Sequence, residues 1–434
     1  MKRIYFDHSA TTPVDPKVFE KIEPYFKEKF GNPSSIHDFG REAMTAVDES
    51  RQEIASFLNC LSEEVVFTSG ATESNNLVIK GVVKALEEGS DSKNHVCRCR
   101  GSEQSDSHEC DGQTPGPHLI TTSVEHKAVL EPCAELEKQG VEVSYLPVNE
   151  KGVIKLEDLE KEIKENTVLV SVMYVNSEVG SIQPVQKVGK IVKKINEQRL
   201  REWQKWGAKK QLPKPQKLYF HTDATQALNF FNCDVQKLRA DFLSLSGHKI
   251  YGPKGVGALY VRKGSQLKPV QLGGHHERGF RSGTLNTPGI VGLGKAVSLL
   301  SSENQDENNK KIAELRDYLV KGIKDNIPDA FLTTDTKEAT PAHAHFIFKG
   351  AEGESILMSL DLEGIAVSTG SACAAKDLHP SHVLKAMGVK SEDANCCIRF
   401  SLGKKNTKKD IDRLLEILPG AVERIRKINP LYKK

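Results

Sequence analysis

Lys249 lies in the run Ser244-Leu245-Ser246-Gly247-His248-Lys249-Ile250-Tyr251-Gly252-Pro253, on a glycine-punctuated turn between the strand-like residues 241–245 and the apolar run 258–261. A lysine on a short turn between buried strands is held where desolvation can lower its pKa, which Schiff-base chemistry requires. Ser246 and His248 flank it and could donate to a phosphate. By itself the window reads equally as a glycine-rich hairpin with an ordinary surface lysine.

Three more windows shift the balance. Asp223, in His221-Thr222-Asp223-Ala224-Thr225-Gln226, follows the apolar Leu218-Tyr219-Phe220. A carboxylate at a strand end, ahead of a Schiff-base lysine, suits the pyridinium nitrogen of pyridoxal phosphate (PLP) and keeps that ring an electron sink. Alone, such an aspartate is more often a turn or cap residue. Residues 65–79 read as strand, small hydroxylated turn (Thr68-Ser69-Gly70-Ala71-Thr72) and amphipathic helix. The amides at that helix start, with the Thr72 hydroxyl, form an anion site, although a well-capped helix would look the same. His126 follows the strand-like His118-Leu119-Ile120 at a strand-to-helix turn, where an imidazole could lie flat on an aromatic cofactor.

With these windows in place, the chain resembles the class V, fold-type I PLP enzymes of the NifS/IscS-like cysteine desulfurase family. The resemblance runs from Tyr5-Phe6-Asp7-His8-Ser9-Ala10-Thr11-Thr12-Pro13 and Gly31-Asn32-Pro33-Ser34-Ser35 through the windows above. It continues through Glu277-Arg278-Gly279-Phe280-Arg281-Ser282-Gly283-Thr284 to Ser368-Thr369-Gly370-Ser371-Ala372-Cys373 and Ile398-Arg399-Phe400-Ser401-Leu402-Gly403. It implies that Lys249 binds the cofactor covalently and shuttles protons, that Asp223 pairs with the pyridine nitrogen, and that Gln226 bonds the phenolic oxygen. His126 would stack on the ring as a possible acid/base. Ala71, Thr72, Ser246 and His248 would hold the phosphate, with Thr284 supplied by the second subunit of a homodimer. Asn176 and Arg399 would bind the carboxylate of L-cysteine, a task to which the planar fork of arginine is matched.

The resemblance also makes Cys373 the nucleophile that leaves as a persulfide. Its segment opens from an apolar strand into a small-residue loop, where a thiol can be mobile and react as thiolate. Cys396 and Cys397, before the apolar Ile398, fit the buried, inert role of many free cysteines. The stretch from Ala374 to His382 is long, as in the branch whose loop swings out to deliver sulfur, so a sulfur acceptor or iron–sulfur scaffold is an implied partner. The sequence stops soon after Asn429-Pro430-Leu431-Tyr432, without the longer tail some relatives use to dock a scaffold.

The elements that must position these residues alternate between strand and helix from about residue 50 to 260. Residues 142–146 and 167–174 read as strands, the second an apolar run of the kind covered on both faces of a parallel sheet. Helices are expected over 43–58, 128–139, 156–163, 308–327 and 408–426. Repeated βα units predict a large, doubly wound, mainly parallel α/β domain over 14–300, with a smaller α+β domain from 1–13 and 301–434 that carries the Cys373 loop. Two polar stretches, about 88–117 and 197–217, read as insertions. In the first, Cys97, Cys99 and Cys110 with His95 and His108 lack zinc-ligand spacing, so a flexible metal-free segment is expected. The second, with Trp203 and Trp206 among basic residues, reads as an extended helix and loop. His343 and His345 alternate with apolar residues, as in a half-buried strand rather than a metal site.

The 434 residues suffice for two or three domains. Lys plus Arg number 61 against 58 Asp plus Glu, a net charge of +3, which argues against a nucleic-acid binder. No apolar run approaches the ~18 residues of a membrane span, and the N-terminus shows no signal-peptide pattern. Nine cysteines in a chain of this size fit a reducing compartment, so a cytoplasmic location is expected. Two other readings stay open. Selenocysteine lyases are close relatives that also carry extra sequence in both connections. A binding or scaffold protein with a degenerate site would show no PLP chromophore.

Overall fold

The computed structural model describes residues 3–89, 116–208, 214–369, 380–430 and 432. Its strands, in chain order, are β1 (Ile4–Tyr5), β2 (Val65–Thr68), β3 (His118–Thr122), β4 (Glu142–Leu146), β5 (Thr167–Ser171), β6 (Tyr219–Asp223), β7 (Phe242–Ser246), β8 (Gly257–Val261), β9 (Ala330–Leu332), β10 (His343–Phe348), β11 (Ile365–Ala366) and β12 (Cys397–Ser401). Seven form one sheet in the order β2-β8-β7-β6-β5-β3-β4. Its pairings are parallel from β7 to β4, whereas β8 runs antiparallel to both β7 and β2.

Strand alternation builds a core on each face of this sheet. Val66, Leu119, Leu169, Tyr219, Phe242 and Leu259 point to the side covered by helices Ala71–Gly89 and Lys127–Lys138. Their neighbours Phe67, Ile120, Val170, Phe220, Leu243 and Ala258 point to the other, under helices Asp38–Leu58, Val185–Glu202 and Thr287–Ser302. Both faces are therefore dry, which is why β2, β3, β5, β6, β7 and β8 are buried along their whole length. The expected strand over 167–174 leaves the ladder after Ser171, and the helix expected from 43 begins at Asp38, where His37 caps it by accepting from Gly40 N. Helix Val185–Glu202 does extend, then loosens into a π-helical turn over Trp203–Gly207.

A second core gathers Ile4 and Phe6 with Ile312, Leu319, Phe346, Phe348, Ile356, Ile398, Phe400, Leu414 and Leu418. It lies around the antiparallel sheet β12-β10-β9 and the parallel pair β1-β11. The long helices Gln305–Asn326 and Lys408–Ile428 pack on it. His343 and His345 are fully buried rather than half-buried, because both faces of β10 are covered, one by the core holding Phe346 and Phe348 and the other by that holding Ile347.

Residues 7–15 cross from this second core to the Lys249 turn. His8 N donates to Ser401 O, Thr12 N to His248 O at 2.9 Å, and Asp15 N to Tyr251 O at 2.9 Å. This strap closes over the carboxyl ends of the parallel strands, the place where open α/β sheets bind ligands. Among the described residues, no helix is long and apolar enough to cross a membrane.

Candidate active site

The loops leaving β2, β3, β5, β6 and β7 converge on a cleft of about 670 Å³, walled on one side by the strap and reached from the second sheet by Arg399. Lys249 ends a single 3-10 turn, Gly247–Lys249, directly after β7. The chain returns as β8, which pairs with β7, so Lys249 does sit on a connection between adjacent antiparallel strands. Its ammonium donates to Ala10 O at 2.8 Å and to Ser9 O. Gln226 Nε2 donates to the same Ser9 carbonyl at 2.9 Å. Asp223, the last residue of β6, is 6% exposed and has both oxygens engaged. Oδ2 accepts from Asn75 Nδ2 at 2.7 Å and Oδ1 from Thr225 N at 2.9 Å.

Ser69, Gly70, Ala71 and Thr72 line one end of the cleft with Ser246, His248 and Lys254. Helix Ala71–Gly89 starts there, and its first amides have no partner within the helix. The backbone is crowded on purpose: a Cβ on Gly257 would lie 2.6 Å from Gly70 Cα, and Gly70 itself adopts φ +151°. Helix amides, the Thr72 and Ser246 hydroxyls, an imidazole and a lysine make a donor set that fits a phosphate. Deeper in the wall, Asn75 Oδ1 and Thr225 Oγ1 are buried without a hydrogen-bond partner among the described residues. The residues present thus fit a phosphorylated, nitrogen-bearing aromatic group.

At the other end, Arg399 in β12 is 3% exposed. Its guanidinium donates to Asp7 Oδ1 at 2.5 Å and to Ser177 O at 2.9 Å. Asn176 lines the same wall, with its side chain already employed. Its oxygen accepts from Glu178 N (2.8 Å) and Val179 N (3.0 Å), and Nδ2 donates to Val124 O (3.0 Å). Asn176 therefore shapes the turn that presents Ser177 O to Arg399.

Burial favours the neutral form of His126 and His248. It lowers the pKa of His126, with Asp223 acting in the opposite direction. It pushes His248 down to about 4, with Lys249 and Lys254 adding to the effect. Glu125, beside His126, is held up at about 8, chiefly because it is fully buried. Its Oε1 accepts from Met173 N at 2.7 Å and Thr122 Oγ1 at 3.0 Å, while Oε2 has no partner among the described residues. His343 and His345, at about 3, are neutral for the same reason.

One cleft thus joins Ala71, Thr72, His126, Asn176, Asp223, Gln226, Ser246, His248, Lys249 and Arg399. Thr284 is absent from its lining and lies exposed on a separate loop. Cys373 falls outside the described residues, as do Cys97, Cys99, Cys110, His95 and His108. Cys397 is buried, and its thiol is pushed up to about 12 by desolvation. Sequence reasoning assigned no role to Asn75, Glu125, His382 or the strap residues Asp7, Ser9 and Ala10. The one available signal was spacing, since Asn75 lies one helical turn beyond Ala71 and Thr72.

The class-V aminotransferase profile matches residues 4–92, 107–199 and 207–414. The chain is 44% identical to a cysteine desulfurase IscS of Dictyoglomus turgidum, covering 100% of this chain and 98% of that one. It is 41% identical to a cysteine desulfurase IscS of Methanosarcina thermophila, covering 100% and 95%. Among solved structures, a NifS-like protein superposes with a TM-score of 0.82 at 36% identity, covering 98% of this chain and all of that one. SspA in complex with cysteine gives 0.73 at 34%, covering 94% and 100%. With the match running end to end, the chain belongs to the class-V aminotransferase family, in its NifS/IscS-like cysteine desulfurase branch.

Proposed function

We propose that this chain removes sulfur from L-cysteine with PLP as cofactor, giving L-alanine and a persulfide on Cys373 that serves a sulfur acceptor. The observation that carries the reading is the joining of Lys249, Asp223, His126 and Arg399 around one cleft. When bound, the cofactor supplies a sink for the electrons left at the amino acid's α-carbon. Lys249 Nζ holds it covalently. The first amides of helix Ala71–Gly89, Thr72, Ser246 and His248 bind its phosphate, and Asp223 keeps a proton on its ring nitrogen. Gln226 and His126, which line the same cleft, would hold its ring.

Arg399 binds the substrate carboxylate in bidentate fashion by giving up part of its hold on Asp7 or Ser177 O. Lys249, once released, moves the α-proton. The strap excludes water from that side of the cleft, and its carbonyls receive the lysine ammonium. The exposed position of Thr284 supports its donation to the phosphate site of a second copy in a homodimer. The test is alanine release from L-cysteine and from L-selenocysteine by the purified protein, beside a Cys373→Ala variant. Cysteine turnover that disappears in the variant is the expected result. Turnover confined to selenocysteine would make the chain a selenocysteine lyase. A colourless protein inactive on both would overturn the PLP reading.

A further inference from the structure

His382 opens the short helix His382–Ala386, whose cap is Ser381; the Ser381 hydroxyl is tied to buried Glu178 at 2.5 Å. The His382 ring lines the cleft, and its Nε2 lies 2.9 Å from Glu125 O. A carbonyl oxygen can only accept, so Nε2 carries a hydrogen. In the neutral ring Nδ1 is then left as an acceptor. His126 is fixed in the opposite sense. Its Nδ1 accepts from Ala128 N–H at 3.1 Å, so its hydrogen sits on Nε2. The cleft thus holds two imidazoles of complementary character, His126 a donor at Nε2 and His382 an acceptor at Nδ1.

Other basic groups of the cleft are engaged, Glu178 among them, whose Oε2 accepts from Ser381 Oγ. Both oxygens of Asp223 accept from Asn75 and Thr225. Lys249 donates to two strap carbonyls. His248 Nδ1 faces Thr11 Oγ1 at 3.2 Å, at the phosphate end. Glu125 is buried and favours its protonated form. An amino acid, however, arrives as an ammonium ion, and only its free amine can displace Lys249.

Building on the function proposed above, we propose that His382 Nδ1 is the base that takes the ammonium proton of the incoming amino acid. The N–H bond breaks and its electron pair stays on the substrate nitrogen. The proton bonds to Nδ1, giving an imidazolium still tied to Glu125 O. The imidazolium then yields that proton to solvent, so the amine that Lys249 regains stays free to take the α-proton. Nothing is oxidised or reduced.

The test uses His382→Gln, which keeps an N–H for Glu125 O but has no titratable base, and His382→Phe beside it. In the cofactor-loaded protein, stopped-flow absorbance follows the reaction with L-cysteine and with hydroxylamine, whose nitrogen is uncharged at neutral pH. The expected result is a roughly 10²-fold slower reaction with L-cysteine and an unchanged one with hydroxylamine. Equal slowing of both would make His382 a structural residue, and slowing of neither would also overturn the proposal. Independently of any cofactor, the ¹⁵N histidine spectrum, assigned by the signal that His382→Gln removes, should show hydrogen on Nε2. Hydrogen on Nδ1 would refute the geometry. A chain that never takes up PLP would instead remove the parent reading, and the base with it.

Discussion

Asn75, one turn into the helix that follows β2, donates to Asp223 at the end of β6 across 2.7 Å. Asn75 is completely buried and Asp223 nearly so. The contact joins the helix whose start lines one end of the cleft to the carboxylate at the end of β6. Because a hydrogen bond to a charged group is worth about 1.5–3 kcal/mol, Asn75→Ala should destabilise the protein by that amount in urea unfolding. It should also weaken PLP retention, measured by dialysis and absorbance, since the freed carboxylate can swing from its position.

Glu125 gives the stability a pH dependence of unusual sign for a carboxyl. Burial holds it protonated up to about 8 in the folded protein, whereas in the unfolded chain it ionises near 4.5. Between those values the unfolded state binds fewer protons, so this group's contribution to stability falls as pH rises from about 4.5 to 8 and then levels. Glu125→Gln should gain stability relative to the parent between pH 5 and pH 8. Denaturation midpoints at the two values check this, and a difference that does not change with pH contradicts it.

The buried histidines act at the other end of the scale. His343 and His345 are kept neutral down to about 3 by burial, with Arg399 reinforcing it. Their depressed values mean that the unfolded chain takes up protons first. Stability is present above pH 6.5 and is lost progressively as pH falls towards 3. Replacing His343 with Asn should flatten that acid limb. It should also loosen the strap, because His343 Nε2 pairs with Ser9 Oγ at 2.6 Å and Nδ1 with Thr340 Oγ1 at 2.5 Å.

Arg51 and Glu277 form a bidentate pair at 2.8 Å, with Glu277 Oε2 also accepting from Phe67 N at 2.7 Å. Both side chains are nearly inaccessible. Glu277→Ala would strand the guanidinium, at a cost of about 3–5 kcal/mol. Glu277 adopts φ +46° and anchors the loop that ends at Thr284. The variant should therefore lose PLP more readily at low protein concentration if Thr284 serves a second copy. Cofactor content after dilution and gel filtration reads this directly.

Local order along the chain carried most of the site. Lys249, Asp223, His126 and Thr72 each stand where an apolar strand gives way to a small-residue turn, and a strand edge dictates that placement within a few residues. The alternation that builds two cores around β2–β8 was equally legible, because a strand buried on both faces has no polar register to hide. What the tertiary structure alone decided are contacts between distant segments. Asn75 meets Asp223 across 148 positions, and His382 meets Glu125 across 257. Ser9 and Ala10 close on Lys249, and Arg399 enters from a different sheet. The burial of His343 and His345 also had to wait for the fold. Alternating His with apolar residues looks the same on an open sheet face and a covered one, and only the cores packed on either side of β10, one holding Phe346 and Phe348 and the other Ile347, remove water from both faces. Sequence spacing encodes which way a side chain leaves its own element; which other element it meets depends on how the two cores dock.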